Sequence, residues 1–239
     1  MKTKIFISVI VLLTSINIVF AQDKKGDSTT VKQVIEKYIT AIGGRDSLAN
    51  IKDKTTVLRG SVSGIDVSMV IYQKLPDKIK QEINAGAVNQ VIKYDGKKAM
   101  MTVGENSREL TGSTLEGLRY EAMLNFILKL DELKVGLKLL GKVKVDNKDA
   151  YEVEMKYPSG NIRKEFYDVK SGLKVKSSKT INTPQGSFAQ TSYYGDYKPV
   201  AGVKYPFSIK QTVGPQSLDF KVSSIKINTG LKDSKFKVE

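Results

Sequence analysis

The chain has 239 residues with no Cys, His or Trp, and 39 basic side chains against 25 acidic ones give it a formal charge of +14. Without His or Cys there is no thiolate nucleophile, no imidazole base, no disulfide framework and no zinc site of the usual ligand set. The length suits one domain and is ample for a sizeable core.

Met1 to Lys4 is short and basic, and Ile5 to Phe20 is apolar apart from Ser8, Thr14, Ser15 and Asn17. The run is shorter than the ~20 residues a spanning helix needs, and Ala21 precedes polar Gln22-Asp23-Lys24-Lys25, so residues 1–21 read as a secretory signal cleaved after Ala21. The expected location is therefore the periplasm, with residues 22–239 as a single domain. Losing Lys2 and Lys4 lowers the charge from +14 to +12. An exported basic protein meets anionic lipid headgroups and acidic envelope proteins rather than nucleic acid. Only five of the basic residues are Arg, the side chain that bidentate phosphate and base recognition favours, so no nucleic-acid partner is expected.

After a polar leader the spacing predicts a helix. Thr30 with Gln33 forms a capping box, Val31, Val34, Ile35, Tyr38, Ile39 and Ile42 repeat at helical spacing, and Gly43-Gly44 stops the run. Beyond Asn50 the pattern becomes strand-like, with strands expected at 54–63, 65–74, 77–84, 88–94, 97–103, 134–145, 149–157, 161–169, 173–182, 186–197, 203–213 and 217–228. Short turns such as Ser63-Gly64, Asp95-Gly96, Asp146-Asn147 and Ser171-Gly172 join them as an antiparallel meander. In 151–157 the alternation is plain, Tyr151, Val153, Met155 and Tyr157 against Glu152, Glu154 and Lys156. A sheet of ten or more strands with one apolar face must curl, close or be covered. Mid-chain, Ser113 and Glu116 suggest a capping box for a helix over 114–130. Its apolar side is broader than the ~100° stripe of a surface helix, consistent either with a core helix or with a lid over an apolar cavity.

The candidate chemistry is thin. Glu152 and Glu154 share the wet face of a strand, where a hydrolase would need them in a cleft. Asp146-Asn147-Lys148-Asp149 lacks the central Gly and distal Glu of a calcium loop and reads as a hairpin. Tyr193, Tyr194 and Tyr197 are an aromatic group that could stack on a sugar, but aromatic residues pack routinely on strands and packing is the favoured reading. No enzyme activity and no cofactor or metal are expected.

Three stretches, Tyr72-Gln73-Lys74-Leu75-Pro76-Asp77, Tyr94-Asp95-Gly96-Lys97 and Asn228-Thr229-Gly230-Leu231-Lys232-Asp233-Ser234-Lys235-Phe236, resemble in order the periplasmic outer-membrane lipoprotein carrier family (LolA-like). The resemblance implies an α+β, mainly antiparallel fold: an incomplete, half-open β-barrel, here of about 10–12 strands, with an N-terminal helix and a mid-chain lid helix. It also implies a cargo, lipid or acylated lipoprotein, carried in an apolar cavity as part of outer-membrane lipoprotein sorting. Two departures stand out. Leu75 occupies the place of the family's functional Arg before the Pro, leaving Lys74 as the nearby cation, and the family's Trp-rich interior is missing. Leu118, Met123, Phe126, Ile127, Met69, Met100 and Phe166 are the expected ligand-lining residues. Expected partners are that cargo, envelope proteins and, transiently, an anionic membrane surface. The competing expectation is a non-enzymatic envelope interaction module with a solid core.

Overall fold

A computed structural model describes residues 29–62, 64–183 and 186–238. The expected signal segment and its cleavage site lie outside these residues.

Helix α1 (Val31–Ala41) starts where the sequence predicts, with the Thr30 side chain accepting from the Gln33 amide and Gln33 reaching back to the Thr30 amide. Gly43, at φ +129°, turns the chain into a short second helix, α2 (Gly44–Ala49), which the periodicity did not reveal.

Thirteen strands follow: β1 (Asp53–Val62), β2 (Ile65–Lys74), β3 (Lys78–Ala85), β4 (Val88–Tyr94), β5 (Ala99–Val103), β6 (Asn106–Leu110), β7 (Gly136–Val145), β8 (Lys148–Lys156), β9 (Ile162–Asp168), β10 (Lys174–Thr183), β11 (Gly186–Val200), β12 (Val203–Val213) and β13 (Gln216–Ile227). They form one antiparallel sheet in the order β6-β5-β4-β3-β2-β1-β13-β12-β11-β10-β9-β8-β7. Every neighbour pair is a hairpin except β1–β13, where the first and last strands meet and join two arms. The sheet is unclosed, as expected, with one strand more than the turn spacing predicts. That strand, β6, is exposed along Asn106–Glu109 and buries only Leu110, so it carries no hydrophobic alternation.

The inner face carries the helices. Val34, Ile35 and Ile39 of α1 and its C-cap Ile42 pack with Leu48, Tyr151, Val153, Met155, Tyr167 and Val203, a core belonging to the β7–β12 arm. A separate core on the other arm joins Ile79, Tyr94, Ala99 and Leu110 to Leu118 and Ala122 of the mid-chain helix, α3 (Gly112–Ala122). The boundaries 114–130 and the Ser113 cap need correction. The N-cap is Thr111, which makes no side-chain cap bond; the helix stops at Ala122, Met123 is extended, and Phe126–Leu128 forms a separate 3₁₀ turn. The reason is geometric. Leu118 and Ala122 serve one core while Leu124, Phe126, Ile127, Leu128 and Leu130 pack on the other, and the break redirects the chain between them.

On the outer face the C-terminal stretch is a strap. The Asp53 carboxylate accepts from the backbone amides of Thr229, Gly230 and Leu231; burial alone would raise its pKa, but these bonds hold it below the ordinary carboxylate value. Asn228 accepts from the Lys52 amide, Asp233 pairs with Lys74 and Lys78 at 2.8 and 3.0 Å, and Phe236 is fully buried.

At Gly43 a Cβ would stand 2.1 Å from the Gly202 carbonyl oxygen, beside the bond by which the Lys204 amide donates to Ile42 O. Gly43→Ala should therefore lower the urea midpoint by the equivalent of about 2 kcal/mol or more. Gly44→Ala, at φ +85° with open space around it, should cost about 1 kcal/mol. Equal costs would mean that the contact with Gly202 is unimportant.

Candidate functional site

Between the two arms, beneath α3, lies a cleft of about 550 Å³. One wall is Gln81, Ile92 and Leu110 of the β3–β6 side, and the other is Tyr157, Arg163, Lys179 and Ile181 of the β8–β10 side. Its roof is Thr114, Gly117, Leu118, Tyr120 and Glu121. The volume falls within the ~300–1,000 Å³ usual for small-molecule sites. Glu121 ties the roof to both arms: its carbonyl accepts from Gln73 Nε2 at 2.7 Å and its carboxylate pairs with Lys179 at 2.6 Å. Beyond the helix the roof continues as an aromatic group, with the Tyr120 ring 4.4 Å from Tyr157 and 5.8 Å from Phe126.

The cleft opens onto a buried charge cluster. Alternation on β9 turns Arg163, Glu165 and Tyr167 inward, opposite Met155, Val153 and Tyr151 of β8. Glu165, 3% exposed, accepts from Lys174 Nζ at 3.3 Å and from the Tyr167 hydroxyl, and forms an ion pair with Arg163 Nε at 3.1 Å. Burial works against its charged form, but Lys174, Arg163 and the Tyr167 bond outweigh this and hold its pKa at about 2. Burial likewise disfavours the Lys174 ammonium, yet Glu165 prevails and raises it above the ordinary value. Tyr38 of α1 and Tyr194 of β11 present their rings 5.9 and 5.2 Å from that ammonium.

Lys54 of β1 extends the interior charge. Its ammonium lies 5.1 Å from the Tyr205 ring centre, and among the described residues it pairs with no carboxylate. Burial first, and then the Lys174 charge, push its pKa down to about 8.

The expected lining residues scatter. Leu118 lines the cleft roof and is buried in the core of the β3–β6 arm. Met123 caps α3 at its C-terminal end, whereas Phe126 and Ile127 pack on the core of the other arm. Met69 lies on the inner face of β2 beside Leu58. Met100 pairs with Lys93 and Glu109 on the face opposite Ala99 and Met101, and Phe166 belongs to an outer cluster with Val145 and Ala150. Lys74 donates to Leu231 O at 2.6 Å and pairs with Asp233, so it serves the outer strap. Glu152 and Glu154 share the outer face, where Glu152 pairs with Lys164 at 2.8 Å. Tyr194 bonds Ser177 and Tyr197 donates to Lys174 O, while Tyr193 packs near Phe166. The interior charges were missed. Their signal was the alternation Arg163-x-Glu165-x-Tyr167, hidden because Phe166 makes the opposite face apolar too.

No family model matches the chain, and no curated protein does. Solved structures do. A LolA superfamily protein from Nitrosomonas europaea superposes with TM-score 0.58 at 16% identity, over 88% of this chain and 99% of that one. The fold is LolA-like. Two further structures share the LolA-like architecture: a DUF1329 family protein from Desulfovibrio piger (TM-score 0.56, 13% identity, 87% and 97% covered), and a domain named for outer-membrane lipoprotein sorting from Vibrio parahaemolyticus (0.55, 10%, 87% and 97%). At these identities the likeness is one of fold.

Removing the central carboxylate of this LolA-like interior should be costly, because it strands two cations. Glu165→Gln is expected to destabilise by about 3–5 kcal/mol in urea unfolding. In the parent protein, a folded pKa of about 2 against an ordinary value of 4.5 means that the stabilisation is complete above about pH 4.5 and is lost as pH falls toward 2. The variant should lose that part of the acid dependence, and an unchanged acid limb would disprove the assignment.

Proposed function

We propose that this protein is a periplasmic carrier or binder of lipid or of lipoprotein acyl chains, of the kind that serves outer-membrane lipoprotein sorting, working after export and cleavage at Ala21. No bond is made or broken in this reading. The observation that carries it is the cleft beneath α3, set where two sheet arms approach without closing and roofed by a helix that touches both. The inner face supports it further, because Met69, Ile71, Ile83, Phe207 and Ile209 are only partly buried where a solid core would bury them. Acyl methylenes entering such a space gain about 0.8 kcal/mol each, so a 14-carbon chain gains roughly 10 kcal/mol before the costs of ordering and association. The surplus of lysines suits brief contact with anionic membrane surfaces during loading and delivery, and envelope proteins are the natural donors and acceptors.

Gly117 offers a clean test. It sits on the cleft side of α3, and a Cβ there would meet nothing within 4 Å. Gly117→Leu should fill the cleft while favouring the helix by about 0.8 kcal/mol. The expected outcome is weaker binding of a fluorescent fatty acid, and fewer acyl adducts in native mass spectrometry, from a protein at least as stable as its parent. Undiminished binding in a folded Gly117→Leu protein would remove the cleft from the function.

A further inference from the structure

We propose that the inner end of the hollow is an anion-binding site centred on Lys54 and completed by Lys174, so that the ligand is an amphiphile bearing one carboxylate or phosphate as well as an apolar tail. This deepens the carrier reading and rests on it.

The inference starts from an imbalance of interior charge. Three cations, Arg163, Lys174 and Lys54, lie on the inner face of the sheet around one carboxylate, Glu165, and Arg163 reaches the cleft. Arg163 and Lys174 share that carboxylate, and Lys179 at the cleft wall has Glu121. Lys54 is left over. Its neighbours in register are Gln73 on β2 and Ile227 on β13, and its ammonium rests over the Tyr205 ring. Among the described residues it makes no ion pair and no side-chain hydrogen bond. A ring face offsets part of the cost of an enclosed ammonium, but it leaves all three N–H donors without an acceptor. Lysines on a sheet normally reach water by pointing outward, whereas the alternation of β1 sets Lys54 on the same face as Leu58, the face that packs on Val67 and Phe220.

Position decides the kind of ligand. Lys54 is partly accessible, so the site is not sealed. From it the charges run by Lys174 and Glu165 to Arg163, which lines the cleft. Gln73, beside Lys54, holds the Glu121 carbonyl of the roof. An anionic group seated at Lys54 and Lys174 would take the unused donors, with its tail along Met69, Ile71 and Ile92 toward Leu118. Carboxylate and phosphate both satisfy an ammonium pair, and chain length and bulk then distinguish a free fatty acid from a phospholipid.

Calorimetric titration of the full-length protein with three 16-carbon probes, palmitate, palmitoyl lysophosphatidate and 1-hexadecanol, tests the site. Either anion or both should bind at least about tenfold more tightly than the alcohol, and whichever is tighter identifies the headgroup. Lys54→Met should bring the probes to parity while raising the urea midpoint of the ligand-free protein, and Lys54→Arg should keep the preference for anions. Equal binding of palmitate, lysophosphatidate and hexadecanol by the parent overturns the anion site and leaves the carrier reading standing. A preference for anions that survives in folded Lys54→Met overturns the role of Lys54. If none of the three probes binds, the carrier reading itself fails, and this proposal with it.

Discussion

The pairing of β1 with β13 is the constraint on which the other features depend. Each remaining neighbour pair is a local hairpin, so this one contact between the chain's first and last strands turns two independent meanders into a single curved surface. It also fixes what is left unsolved. The far strands, β6 and β7, are edges that pair on one side only, with β5 and β8, and the inner face is wider than three short helices can cover. The chain meets this by building two separate cores, one under α1 and one under α3, rather than one continuous core. The space between those cores is the cleft. Its existence follows from the sheet being too large for its cover, and so does the need for a roof that reaches both sides.

That roof explains where the sequence is legible and where it is not. Strand alternation, turn chemistry and the Thr30 cap all depend on local rules, and they locate α1 and nearly all the strands. The run Leu124 to Leu130 obeys no single local rule, because its apolar residues pack on a different core from Leu118 and Ala122. A periodicity argument sees one long apolar segment and extends the helix through it. Tertiary demand breaks the helix at Met123 instead, since a straight continuation cannot turn from one arm to the other. For α2 the obstacle differs: six residues carrying only Leu48 as a buried anchor give too little periodicity to detect.

The lining residues show the same divide. Met100 and Met101 are adjacent and chemically identical, yet a strand sends them to opposite faces, and composition alone cannot choose between them. Phe166 looks like an interior residue because it is large and apolar, while the side chains that do face inward are its neighbours Glu165 and Tyr167. The inversion is physical. On β9 the outer face carries Phe166, packed with Val145 and Ala150 of the neighbouring strands, beside the ion-paired Lys164, while the inner face carries Arg163 and Glu165, so the rule that apolar means inside fails there. The resemblance in the terminal stretch, by contrast, has a structural basis in the strap, where Asn228, Asp233 and Phe236 each hold the last segment against the sheet.

Charges on a largely apolar inner face pose an energetic problem that the geometry partly answers. Glu165 accepts from two donors, Lys174 and the Tyr167 hydroxyl, and pairs with Arg163, so its burial is offset by hydrogen bonds as well as by opposite charge. The network also joins α1, through Tyr38, to β9, β10 and β11 and forms a floor for the cleft, whose roof is anchored to the β3–β6 arm by buried Leu118 and Ala122 and by the Gln73–Glu121 bond, and meets the other arm through the half-exposed Glu121–Lys179 pair and the Tyr120–Tyr157 ring contact. An exposed ion pair contributes about 0–1 kcal/mol, so separating Glu121 from Lys179 costs far less than disrupting the floor, which would strand buried charge. The seam between α3 and β10 is therefore the weaker one, and the sheet beneath it is held by the stronger network.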